Sequence, residues 1–188
     1  MEYFKKIKLD IPWINPDYDL VGLQRKCEIF PIHKIFQLDI TALNPELIDW
    51  FLSKGMNIKA YIFLTPPLKK SLIHIDGNTL HDCWAMNWSW GSEDHAMHWY
   101  TPNTNISSDS GATGAGTTYK SWGSDEVTRV ASTKIDSPTI CNIGSPHQVE
   151  NYSTTNRWSI SIRPQIFTRW ETAMTVFSKE IMEYENGC

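Results

Sequence analysis

The segment KSLIHIDG places His74 and Asp76 two residues apart. On a strand, alternate side chains share a face, so this imidazole and carboxylate point one way while Ile73 and Ile75 point the other. Their backbones lie about 7 Å apart, close enough for both side chains to grip one ion. His147, in PTICNIGSPHQVEN, follows an apolar strand and a Gly-Ser-Pro turn, where an antiparallel strand would restart beside that pair. Two histidines and one carboxylate make a facial metal triad with open coordination positions. The plainer alternative is a chance His-x-Asp and a turn histidine at 147.

Ten residues beyond His147, the segment RWSISIR alternates strictly: Arg157, Ser159, Ser161 and Arg163 share one face, and Trp158, Ile160 and Ile162 the other. A guanidinium facing a barrel interior needs an anionic partner, because an unpaired buried charge is very costly. Its planar fork suits a carboxylate held through two hydrogen bonds. With the Ser159 hydroxyl on the same face, Arg157 would form a receptor for an acid. An outward-facing Arg157 on a solvated strand is the competing reading.

The elements that must position these groups are mostly strands. NIKAYIFL, KSLIHID, HDCWAMNWSW, DHAMHWYT, EVTRVAST, PTICNI and RWSISIR are short runs separated by turn residues, which predicts a sandwich or barrel rather than βαβ units. Strands are also predicted near 3–11 and 27–40, with Pro31 interrupting the second. NPELIDWFLSKG reads as a three-turn amphipathic helix, with Asn44 as N-cap, Pro45 in the first turn and Gly55 past the end. A second helix is expected over roughly 168–184, where Trp170, Met174, Phe177 and Ile181 recur at helical spacing. Residues 103–125 are rich in Asn, Ser, Thr, Gly and Asp, and read as a lid over a site or as a surface excursion.

Composition narrows the class. The 188 residues suit one domain, with a strand core over about 57–165 flanked by residues 1–56 and the C-terminal helix. Nine tryptophans demand either a packed core or an aromatic pocket. A formal charge of −4 leaves no footprint for binding duplex nucleic acid. Cys27, Cys83, Cys141 and Cys188 form no C-x-x-C pair, arguing against a zinc knuckle or redox motif and for reduced thiols in the cytoplasm. No run reads as a signal peptide or a membrane helix, so no membrane partner is expected. Phosphate-binding loops and a Gly-x-Ser-x-Gly elbow are absent, which disfavours nucleotide hydrolysis and serine acyl transfer. His95 and His98 are three apart, a spacing that sends them to opposite faces of a strand. They are not assigned to the metal set, and neither is His81-Asp82-Cys83.

Taken in order, His74-x-Asp76, His147 and Arg157-x-Ser159 resemble the Fe(II)/2-oxoglutarate-dependent dioxygenases over about residues 57–165. The resemblance implies a mainly β (α+β) fold, a double-stranded β-helix or jelly roll with flanking helices. It implies Fe(II) on His74, Asp76 and His147, 2-oxoglutarate as cosubstrate on Arg157 and Ser159, and dioxygen as oxidant. Hydroxylation of a small molecule or an amino-acid side chain is then the expected outcome. Further cosubstrate contacts are expected from Asn87, on the small polar face of HDCWAMNWSW, and from Tyr61; a core Asn87 satisfied by backbone is the alternative. Trp84, Trp88, Trp90 and Trp158 should wall the outside of the barrel, while Trp99 and Trp122 are candidates for the substrate side. The rival class is a cupin-like metal-binding protein, an isomerase or ligand sensor, without oxygenase activity. A non-catalytic jelly-roll interaction module is a third reading.

Overall fold

A computed structural model describes residues 2–28, 34–76, 83–103, 109–112, 118–166 and 169–182. The chain begins with β1 (Phe4–Lys6), α1 (Leu20–Glu28), β2 (Lys34–Leu38), α2 (Pro45–Ser53), β3 (Ile58–Thr65) and β4 (Ile73–Asp76). It continues through β5 (Trp84–Trp90), β6 (His95–Pro102), β7 (Asp109–Ala112), β8 (Thr118–Trp122) and β9 (Val127–Thr133). The last elements are β10 (Thr139–Asn142), β11 (His147–Asn151), β12 (Arg157–Pro164) and α3 (Trp170–Val176).

Two six-stranded antiparallel sheets result, in the orders β1-β10-β5-β12-β3-β2 and β7-β8-β4-β11-β6-β9. Strands β3 to β6 alternate between the sheets, and β9 to β12 do so again. That wrap is a jelly roll, as the run of short strands predicts. The pair β7 and β8 extends the second sheet beyond β4.

The largest apolar core lies outside the roll, between the first sheet and the helices. Parity decides this: Ile160 and Ile162 of β12, Ile62 of β3, and Trp84 and Met86 of β5 point outward and pack with Leu47 and Phe51 of α2 and Phe177 beyond α3. Each such fully buried side chain contributes on the order of 1.5–3 kcal/mol. Trp158 belongs to this core and Trp88 and Trp90 pack against it, so these tryptophans wall the outer side with Trp84. Their departure leaves the inner face of the first sheet to Asn87, Ser89, Arg157 and Ser159.

Helix α2 follows its sequence signals. The Asn44 side chain accepts a hydrogen bond from the Glu46 amide at 2.9 Å, Pro45 occupies the first turn, and Gly55 takes φ +74° beyond the end. Other elements depart from expectation. The strand over 3–11 shortens to 4–6, and residues 27–28 belong to α1 rather than to a strand; Pro31 lies outside the described residues. Asp19 signals that helix by accepting from the Gly22 amide at 2.8 Å, but its sequence carries little apolar periodicity, and only Cys27 is fully buried. Helix α3 ends at Val176 because the chain then turns back to pair Ile181 with Ile7. The expected loop over 103–125 contains β7 and β8; β8 pairs on both sides, with β4 and β7, and β7 forms the sheet edge.

Candidate metal centre

His74 and Asp76 lie on the inner face of β4, and His147 opens β11 beside them, with His147 and His74 directly paired across the strands. Their ligand atoms all fall within 4.8 Å of one another. The imidazoles are 4.5 Å apart at their centroids. His74 Nδ1 lies 2.9 Å from the Leu72 carbonyl and His147 Nδ1 3.0 Å from the Ser145 carbonyl. A carbonyl only accepts, so both Nδ1 atoms carry the proton and each Nε2 keeps its lone pair for a metal. Burial, with His74 alongside, pushes the His147 imidazole down to about 4, which keeps it neutral and ready to ligate at pH 7.

Asp76 divides its oxygens. Oδ2 receives Arg163 Nη2 at 2.9 Å, while Oδ1 faces His74 Nε2 at 3.8 Å. Burial opposes ionisation, but the Arg163 guanidinium against Oδ2 holds this carboxyl below the usual range. One oxygen is thereby fixed and the other is turned toward the two Nε2 atoms. The donor set fits a divalent metal: two imidazoles with oriented tautomers and one anionic oxygen.

These groups open into a cavity of about 130 Å³ whose polar lining includes Asn87, Arg157, Ser159, Ser161 and Arg163. At about 30 Å³ per water that space holds roughly four waters, room for one small organic acid. Arg157 is only 2% exposed, and burial lowers it to about 10. Its Nη2 donates to Ser89 Oγ at 2.6 Å, its Nε has no partner, and it forms no ion pair among the described residues. Asn87 Oδ1 is also buried, with no hydrogen-bond partner among the described residues. The Ser159 hydroxyl donates to the Trp88 carbonyl at 3.1 Å. Tyr61 lies off the main cavity, in a smaller neighbouring one that also touches His74, Asp76, Phe63, Tyr119 and Arg163.

Neither of the two substrate-side tryptophans reaches these cavities. Trp99 is fully buried at the apolar end between the sheets, stacked on Phe4 at 5.4 Å and donating to the Asn142 carbonyl. Trp122 pairs with Ile73 on the outward face of the second sheet and packs with Ile75 and Val127. Ring contact with the site comes instead from Tyr119, which shares the inner face of β8 with Ser121 and stands 6.3 Å from His74. Its ring leans over Gly111, where an added Cβ would lie 2.6 Å from the phenol. Composition hid Tyr119 within a polar segment. Arg163 was visible by parity with Arg157, yet nothing in the spacing alone linked it to Asp76.

His95 and His98 do take opposite faces. His95 is buried toward the interior, where burial and the Arg157 charge push it down to about 4. His98 contacts the Tyr152 hydroxyl at 2.9 Å on the outer face. His81 and Asp82 lie outside the described residues, as does Cys188; Cys27, Cys83 and Cys141 are buried thiols.

No protein-family model matches the chain, and no curated protein matches it. Among solved structures, the oxalate decarboxylase formate complex of Lactobacillus farciminis aligns at 11% identity and TM-score 0.37, over 74% of this chain and 31% of that one. CapF, a capsular polysaccharide assembling protein of Staphylococcus aureus, aligns at 10% identity and TM-score 0.32, over 76% of this chain and 32% of that one. Peruvianin-I, a cysteine peptidase of Thevetia peruviana latex, aligns at 12% identity and TM-score 0.34, over 88% and 91%. The chain spans about a third of the oxalate decarboxylase length. Similarity at this level says nothing of activity, and the jelly-roll assignment rests on strand order.

Proposed function

We propose that this chain is a non-haem iron(II) oxygenase that couples oxidative decarboxylation of 2-oxoglutarate to hydroxylation of a second substrate. One juxtaposition carries the reading: three metal donors and a buried guanidinium without a carboxylate partner line a single cavity. Arg157 and Arg163 are six residues apart on β12, roughly 20 Å at the backbone. The metal donors and the Arg157 guanidinium line one cavity, so a dicarboxylic acid with one end at the donor set would turn its other carboxylate toward Arg157. Iron(II) bound there would supply oxygen activation and a chelation point for the keto acid.

The side chains have defined tasks. His74 and His147 present Nε2 because backbone carbonyls hold their Nδ1 protons, and Asp76 presents Oδ1 because Arg163 holds Oδ2. Arg157, fixed by Ser89, offers its free Nε–H to the distal carboxylate. Ser159 can turn its hydroxyl from the Trp88 carbonyl to the same group.

Purified protein should form succinate from 2-oxoglutarate only with Fe(II) and dioxygen present. His74→Ala, Asp76→Ala and His147→Ala should each reduce that rate by about a hundredfold or more. Full succinate production by any of the three would remove its residue from the ligand set. The Asp76–Arg163 pair, complete without a metal, favours a second reading, a cupin-like metal-binding protein without oxygenase activity. That protein would bind metal through the same triad and make no succinate.

A further inference from the structure

The cavity that holds the metal donors, together with its rim, carries more positive charge than the triad and an acid cosubstrate can neutralise. Among the described residues, Arg157 and Arg163 line the main cavity with Asp76 as the carboxylate opposing them, and Lys59, on the same face of the first sheet, stands just beyond the lining. Lys59 and Arg163 are cross-strand partners on β3 and β12. Both lie over the Tyr61 ring, Lys59 Nζ at 5.9 Å and Arg163 Cζ at 5.1 Å from its centroid. Phe63 supports Arg163 from the next inward position, 5.9 Å away. Asp109 shares the inner face of the second sheet two strands beyond β4, about 10 Å off, and is exposed. A divalent metal adds two positive charges and a dicarboxylate removes two, so the cavity remains cationic with both bound. Low-dielectric walls magnify that excess.

Arg163 is also only partly used. Nη2 meets Asp76 and Nε meets Ser161 Oγ at 3.4 Å, while Nη1 has no hydrogen bond among the described residues. Beside it, Tyr61, Phe63, Ile35 and Tyr119 wall the smaller cavity with flat or apolar surface. We infer that the second substrate is an oxyanion on a planar or apolar body, its charged group held by Arg163 and Lys59 and its body against Tyr61 and Tyr119. This rests on the oxygenase reading for the identity of the metal and cosubstrate, but the recognition itself belongs to these side chains. Guanidinium and ammonium together suit a carboxylate or a phosphate monoester, and aromatic walls suit a ring.

The test uses Mn(II) in place of iron, which permits binding without turnover, in the presence of 2-oxoglutarate. Proton NMR then reads paramagnetic broadening of benzoate, phenyl phosphate and neutral benzamide. Benzoate or phenyl phosphate should bind about tenfold tighter than benzamide, the better of the two identifying the oxyanion. Lys59→Gln should erase much of that preference while Mn(II) affinity stays unchanged. Arg163→Gln should erase the preference and also weaken Mn(II) binding, with Arg163→Lys restoring part of both. Equal broadening of benzoate and benzamide, alongside clear broadening of 2-oxoglutarate, would overturn the inference and leave the oxygenase reading standing. Broadening of the anions without that of 2-oxoglutarate would do the reverse. No broadening of any ligand would end both.

Discussion

At the residue scale, the central asymmetry is between two arginines on one strand face. Arg163 has a carboxylate partner at 2.9 Å; Arg157, more deeply buried, has a serine and an open Nε–H. A buried charge without a counter-ion is tolerated where a ligand completes it. Arg157→Gln should therefore raise the half-saturating 2-oxoglutarate concentration by at least about tenfold and leave iron affinity within about twofold. Succinate formation measured at low and saturating 2-oxoglutarate checks this, and unchanged saturation would count against the role. The strict alternation of RWSISIR made both arginines legible as one face. The Asp76 contact of Arg163 was not legible, because it depends on how β12 of one sheet lies over β4 of the other, a distance no local pattern carries. Trp99 shows the same limit: strand parity selects a face, whereas position along the roll decides whether that face is cavity or packed core; Trp122 falls on the outer face.

At the scale of elements, the signals with a local cause were readable. Asn44, Pro45 and Gly55 frame α2 through capping and backbone geometry, and the observed bonds match. Asn44→Ala should cost about 1 kcal/mol, read as a lower urea midpoint with unchanged slope. The β7–β8 pair was obscured because its Ser-, Thr- and Gly-rich sequence has weak strand preference, and pairing with β4 overrides it. The consequence is functional: β8 delivers Tyr119 beside His74, so the polar segment supplies a wall of the site. Helix α1 was missed for a related reason, its Asp19 cap being present but its apolar stripe thin.

At the scale of the whole molecule, placing the main apolar core between the first sheet and the helices leaves the interior of the roll polar at one end. That division explains the nine tryptophans better than a choice between core and pocket, since those described at the site's flanks are core on either side of the wall. It also loads the interior with groups that resist protonation. His95 and His147 are both held down to about 4, chiefly by burial, against 6.5 for a free imidazole. The unfolded chain takes up these protons as pH falls through 6.5 while the folded chain does not. Their stabilising effect is thus complete above about pH 6.5, declines toward pH 4 and levels off below it. The melting temperature should fall over that interval, and His95→Gln should make the decline shallower; an equal decline would remove His95 from this role. An oxygenase of this kind must hold iron and the keto acid together in one cavity. Anaerobic addition of 2-oxoglutarate to the Fe(II)-loaded protein should produce a visible charge-transfer absorption band, saturating at one equivalent, and Asp76→Ala should abolish it. Tight Fe(II) binding with no such band at saturating 2-oxoglutarate would contradict the oxygenase reading.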